Sequence, residues 1–214
     1  MSDDNLTFER GDKGSKDPTK ALKEQLDQKL EKTLEQAAKL ELTQTPPGMG
    51  NWEVWAWGPW QNLPALSPGR IIKKGEDAYI YVVVWMDPVM CANVTGFSGK
   101  IELNFWTSNT QEMRTVSALN HTYCIQTVQG QCWYSYLWKL TPTEAACLYE
   151  TNICARVCNC DYYQHPEYAG FVRWVYDFDV DLIFPPQHWR FDRPIRYMVY
   201  DKDIPCDCPN LPQP

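Results

Sequence analysis

At residue 51 the spacing of apolar side chains changes. Before it they recur at helical intervals; after it they alternate with polar ones, the period-2 pattern of half-buried β-strands. "KIELNFW" sets Ile101, Leu103 and Phe105 on one face and Glu102, Asn104 and Trp106 on the other. "FVRWVYDFDVDL" sets Val172, Trp174, Tyr176, Phe178, Val180 and Leu182 opposite Arg173, Asp177, Asp179 and Asp181. "AYIYVVVWM", residues 78–86, is nearly all apolar and reads as a strand covered on both faces. "TYCIQTVQGQCWYSYLWKL" reads as a hairpin turning near Gly130, and "NWEVWAW", "ACLYETNICARV" and "PIRYMVYD" read as further strands. Seven or eight strands, broken by Gly/Pro turns and with no long helix after residue 50, predict a mainly β fold. The expected architecture is an antiparallel β-sandwich, jelly-roll-like or immunoglobulin-like, with a charged helical arm before it.

That arm is a different material. Residues 1–46 contain ten acids and eight bases but no Trp, Tyr or Cys. Residues 1–16 read as a disordered N-terminus and 17–43 as the arm, with a helix over 18–42: Asp17 caps it and Pro18 suits its first turn. Leu22, Leu26, Leu30 and Leu34 recur every four residues, a narrow stripe that winds slowly around the helix. Such a stripe stabilises an isolated helix little. It either rests on its own domain or docks as an assembly arm on a neighbouring subunit, and the second is the working expectation. Residues 44–50 form a Pro/Gly linker, 51–205 the sandwich and 206–214 a Cys/Pro tail.

The chain of 214 residues has a formal net charge of -7, which argues against a nucleic-acid partner, since that binding requires clustered Lys and Arg. The start lacks an apolar export region, and no stretch approaches the length of a membrane span. Nine cysteines point toward an extracellular or surface assembly, whereas the absent export signal points toward the cytoplasm.

Chemistry candidates follow from spacing. Cys158 and Cys160 form one C-x-C pair, Cys206 and Cys208 another; i, i+2 residues of a strand stand too far apart to bond each other easily. The two pairs either cross-link, hold a tetrahedral zinc, or stay unlinked. Cys124 and Cys132 flank the expected turn and could pair across it. Asp177, Asp179 and Asp181 form either a solvated face or a calcium site. His121, His165 and His188 lack a local motif that would pair them with a thiol, and phosphate-loop, nucleophile-elbow and zincin motifs are missing. No cofactor is expected.

Trp52, Trp55, Trp57 and Trp60 crowd one stretch. They are expected to form a core strand, with Trp60, beyond Gly58-Pro59, left exposed. Trp60, Trp106 and Trp189 are the candidates for a ligand or interface platform. "LTPTEAACLYETNICARV" resembles the E–F corner of immunoglobulin variable domains, although Tyr149 and Cys154 stand five apart and no partner Cys and Trp sit at the usual upstream spacing. A short helix at 143–149 suits that segment equally. The functional expectation is a non-catalytic subunit docked by its arm into an appendage, sheath or particle shell, self-associating or joined to other protein subunits. The alternatives are a glycan-binding module using exposed Trp, or a metal-thiolate protein or unfamiliar enzyme.

Overall fold

The structure, a computed structural model, describes residues 17–39, 52–61, 69–96, 99–144, 147–158, 164–174 and 194–201. Helix α1 (Pro18–Lys39) starts where Asp17 accepts the Thr19 amide at 3.0 Å. Strands β1 (Trp52–Trp60), β2 (Ile71–Lys73) and β3 (Ala78–Met86) follow, then helix α2 (Pro88–Gly96) and strand β4 (Lys100–Asn109). After β4 come β5 (Arg114–Thr115), β6 (His121–Gln126), β7 (Trp133–Leu140), β8 (Cys147–Cys158), β9 (Gln164–Trp174) and β10 (Ile195–Tyr200).

The strands form a β-sandwich of two sheets. Sheet A runs β9–β1–β3–β7; sheet B places β8 between β4 and β10, with β2 beyond β10 and β5 and β6 beyond β4. Strand β9 belongs to both, pairing with β8 up to Phe171 and with β1 from Val172. Pairing is antiparallel except β1 with β9 and β2 with β10. Ile101, Leu103 and Phe105 of β4, with Tyr149 and Ile153 of β8, meet Val54, Ala56, Ile80, Val82 and Val84 of sheet A in one buried cluster. Within it Thr107 and Thr151 share a hydroxyl bond of 2.8 Å, and Thr151 reaches the Tyr197 hydroxyl at 3.2 Å. Burial there pushes the Tyr197 phenol up to about 12.

Strand β3 is covered on both faces, as its sequence requires. Its alternate residues enter the sandwich core, while Tyr81 and Val83 lie beneath α1. The tryptophans take that second side too. Trp55 and Trp57 face α1 and leave the sandwich core to Val54 and Ala56. Trp60, expected to be exposed, is 1% exposed. The register explains this correction: Trp57 pairs with Tyr81 but Trp60 with Tyr79, so β1 holds one extra residue there. A bulge of one residue reverses the alternation and returns Trp60 to the face of Trp57. Gly58 makes the bend, at φ +121°, where an added Cβ would stand 2.7 Å from the Tyr79 carbonyl oxygen.

Three further expectations are corrected. Strands β6 and β7 flank the turn at Gly130 but pair with β4 and β3 in different sheets, so the segment crosses the sandwich and is not a hairpin. Cys124 and Cys132 are therefore apart; Cys132 is bonded to Cys91 of α2, and Cys124 is an exposed thiol. Leu148 and Tyr149 lie in β8, not in a helix.

Candidate interaction face

The two sheets differ in what lies outside them. On sheet A, Leu22, Leu26 and Leu30 of α1 are 4%, 6% and 0% exposed against Trp55, Trp57, Trp60, Tyr81 and Val83, with Leu34 half-buried beside them. A polar clasp fixes the helix. Asp27 Oδ1 accepts the hydroxyls of Tyr81 and Ser135, each at 2.5 Å, and Lys23 donates to Asp27 Oδ2 at 2.6 Å and to Ser135 at 2.8 Å. Burial, followed by the bond to Asp27, holds the Tyr81 phenol far above its ordinary range. The stripe expected to dock on a neighbour is thus occupied by the chain's own sheet.

Among the described residues nothing covers the apolar side chains of sheet B in this way. Alternation sends Arg196, Met198 and Tyr200 of β10 outward, as it does Leu148, Glu150 and Asn152 of β8. Register then aligns them. Ile71, Met198 and Leu148 form one row across β2, β10 and β8, exposed by 61%, 51% and 42%. In the next row Arg196 donates to Glu150 at 2.9 Å, with Ser108 beyond on β4. One row further, Trp106 stands opposite Asn152, 47% exposed.

The far end of the face is polar and internally bonded. Arg156 donates to Glu102 at 2.8 Å, Asn104 to Glu102 at 2.7 Å, and Thr122 to Asn104 at 2.9 Å. The Asn104 bond, aided by Arg156, holds the Glu102 carboxyl below its ordinary value. Cys154 is half-buried nearby, and burial raises its thiol.

A second cluster closes one side of the sandwich, between β6 and β7. His121 Nε2 lies 2.8 Å from the Tyr136 hydroxyl, Tyr123 stacks on Tyr136 with centroids 3.7 Å apart, and Trp138 packs on Phe105.

Of the residues singled out by sequence, Trp106 is on the exposed face and Trp60 is not. Trp189, Asp177, Asp179, Asp181, Cys160, Cys206 and Cys208 lie outside the described residues, as does the side chain of Cys158. Zinc and calcium at those positions therefore stay expectations. Among the described residues no three His, Cys, Asp or Glu side chains gather as metal ligands, and no helix is long and apolar enough to cross a membrane. Sequence reasoning missed Ile71, Leu148, Met198 and Arg196. Alternation in "PIRYMVYD" pairs Arg196 with Met198 on one face, yet nothing in the string tells which face lies outward.

No protein-family model matches the sequence, and no curated protein matches it. Among solved structures, a CARDB domain from Pyrococcus furiosus, in complex with di-metal ions, is similar at 14% identity and a TM-score of 0.33, over 62% of this chain and all of that one. A β-glucosidase from Listeria innocua is similar at 11% identity and 0.32, over 60% of this chain but 17% of the enzyme. The apo form of the Calx CBD1 domain is similar at 10% identity and 0.28, over 71% and 99%. At such scores these likenesses lend this chain neither a ligand nor an activity.

Proposed function

We propose that the chain is a non-catalytic building block of a larger protein assembly, such as an appendage, sheath or particle shell, docking through the outer face of sheet B. The observation that carries this reading is the exposed row Ile71, Met198 and Leu148. Clustered exposed apolar side chains mark interaction surfaces, and Trp, Met and Arg, as at Trp106, Met198 and Arg196, are enriched at interfaces. Helix α1 braces the opposite sheet, so its leucines serve the subunit's own rigidity. The Cys91–Cys132 bond suits an oxidising compartment and hence an assembly outside the cell.

Footprinting by mild oxidation tests this. Protein taken from its native source should migrate as a species larger than one chain, with Met198 and Trp106 protected relative to the same protein after dissociation. A single-chain species with both residues fully reactive overturns the reading.

Glycan binding is the second reading, favoured by an exposed indole, Trp106, flanked by the amides of Asn104 and Asn152. A saturable glycan-induced change in tryptophan fluorescence that Trp106→Ala abolishes is the result that would put it first.

A further inference from the structure

The outer face of sheet B is complementary to itself, and the strand register shows how. Strands β10 and β8 are neighbours; Arg196 of β10 stands beside Glu150 of β8, and Met198 beside Leu148. Consider a two-fold axis parallel to the strands, above the line between β10 and β8. Rotation about it lays β10 of one copy over β8 of the other and keeps each row level with itself. Arg196 then faces Glu150 of the second copy, Glu150 faces its Arg196, and Met198 faces its Leu148. This is the reciprocal pattern that an isologous dimer requires, and the parallel axis keeps the two sheets in the aligned orientation that stacked sheets prefer.

Charge is compatible with it. In a chain of net charge -7 the ion pairs of this face, Glu102 with Arg156 and Glu150 with Arg196, carry no net charge, and the further charges that alternation puts on the same side, Lys73, paired with Glu76, and Lys100, lie at its edges. Pairing across the interface turns one Arg–Glu pair into an alternating square of four charges, two Arg and two Glu. About this axis β10 and β8 overlie each other's copies and so do β2 and β4: four strands about 4.8 Å apart, over about five residues of about 3.4 Å each, span on the order of 300 Å². That is below the roughly 800 Å² per partner of a standard interface and matches weak, reversible association.

We infer that the occupant of the sheet B face is a second copy of this chain, related by a two-fold axis running along the strands between β10 and β8. This inference rests on the reading of that face as the docking surface.

Charge exchange tests it. The full chain, expressed alone, should sediment as a dimer at tens of micromolar. Arg196→Glu places four acids in the square and Glu150→Arg four bases, so each variant should sediment as a monomer. Mixing the two in equal amounts sets both Glu side chains of one copy opposite the two Arg side chains of the other, and the mixture should recover the dimer as a heterodimer. Met198→Glu should stay monomeric in every mixture. Arg196 and Met198 are 67% and 51% exposed, so circular dichroism should show native folding in those two variants, and the Glu150→Arg spectrum is recorded beside them.

A monomeric wild type overturns the inference, and so does a dimer that survives all three substitutions, since the copies then meet elsewhere. Failure of the mixture to re-form the dimer overturns the proposed axis. In each case native material larger than one chain, with Met198 and Trp106 protected, leaves the docking reading standing with a different partner. Native material that is a lone chain removes both.

Discussion

His121 is held with a ring nitrogen 2.8 Å from the Tyr136 hydroxyl, its ring stacked on Tyr136 and Trp138. Burial in this aromatic seam lowers its pKa from the ordinary 6.5. A group whose folded-state pKa lies below its unfolded value binds fewer protons when folded, so stability rises with pH between the two values. The contribution of His121 is complete above 6.5 and is lost as pH falls through the lower, folded-state value. Urea midpoints measured from pH 8 down to pH 5 should therefore decline below the ordinary histidine range. His121→Phe keeps the ring and removes the titration, and it should flatten that decline; an unchanged slope in the variant would assign the effect to other groups. Tyr136 and His121 come together from strands in different sheets, a contact that no local spacing in the sequence announces.

At the scale of elements, helix α1 shows both what the sequence discloses and what it withholds. Its start at Asp17 and Pro18 was legible because capping is local, and the Leu22, Leu26, Leu30 stripe because the helical period is local. The partner of the stripe was not legible, since it depends on which face of β1 and β3 the fold turns outward. The same limit hid Trp60: one extra residue in β1 reverses which residues share a face, and the sequence shows Gly58-Pro59 without showing the register. The strands themselves, β3 and β4 above all, were readable from alternation alone. Leu30 is 0% exposed within the α1 cluster, so Leu30→Ala should cost about 2–5 kcal/mol through lost burial and the cavity left behind. Thermal melts should show that loss, accompanied by a red shift of tryptophan emission as Trp55 and Trp57 gain water. A variant with wild-type stability and emission would mean that the helix is not a structural layer of this domain.

For the whole molecule, the decisive connection is the one between sheets. The chain leaves sheet A after β3, builds β4, β5 and β6 of sheet B, and returns to sheet A at β7. The bond between Cys91, in α2, and Cys132, just before β7, closes that excursion into a loop with a sequence separation of 41. Around it the Met86 amide donates to the Cys132 carbonyl at 2.9 Å, and Gly130 donates to the Thr95 hydroxyl at 3.3 Å. Cross-linking a loop of this length removes unfolded-state entropy worth about 4 kcal/mol in the chain-entropy account. Against the typical 5–15 kcal/mol stability of a whole domain, that is a large share. Chemical denaturation of the oxidised chain should accordingly show a midpoint well above that of Cys91→Ala/Cys132→Ala. Reductant should lower the wild-type midpoint toward the double variant while leaving the variant itself little changed. If reductant lowers both midpoints equally, cysteines other than this pair hold the sandwich together; if neither falls, packing between the sheets alone sustains the crossing.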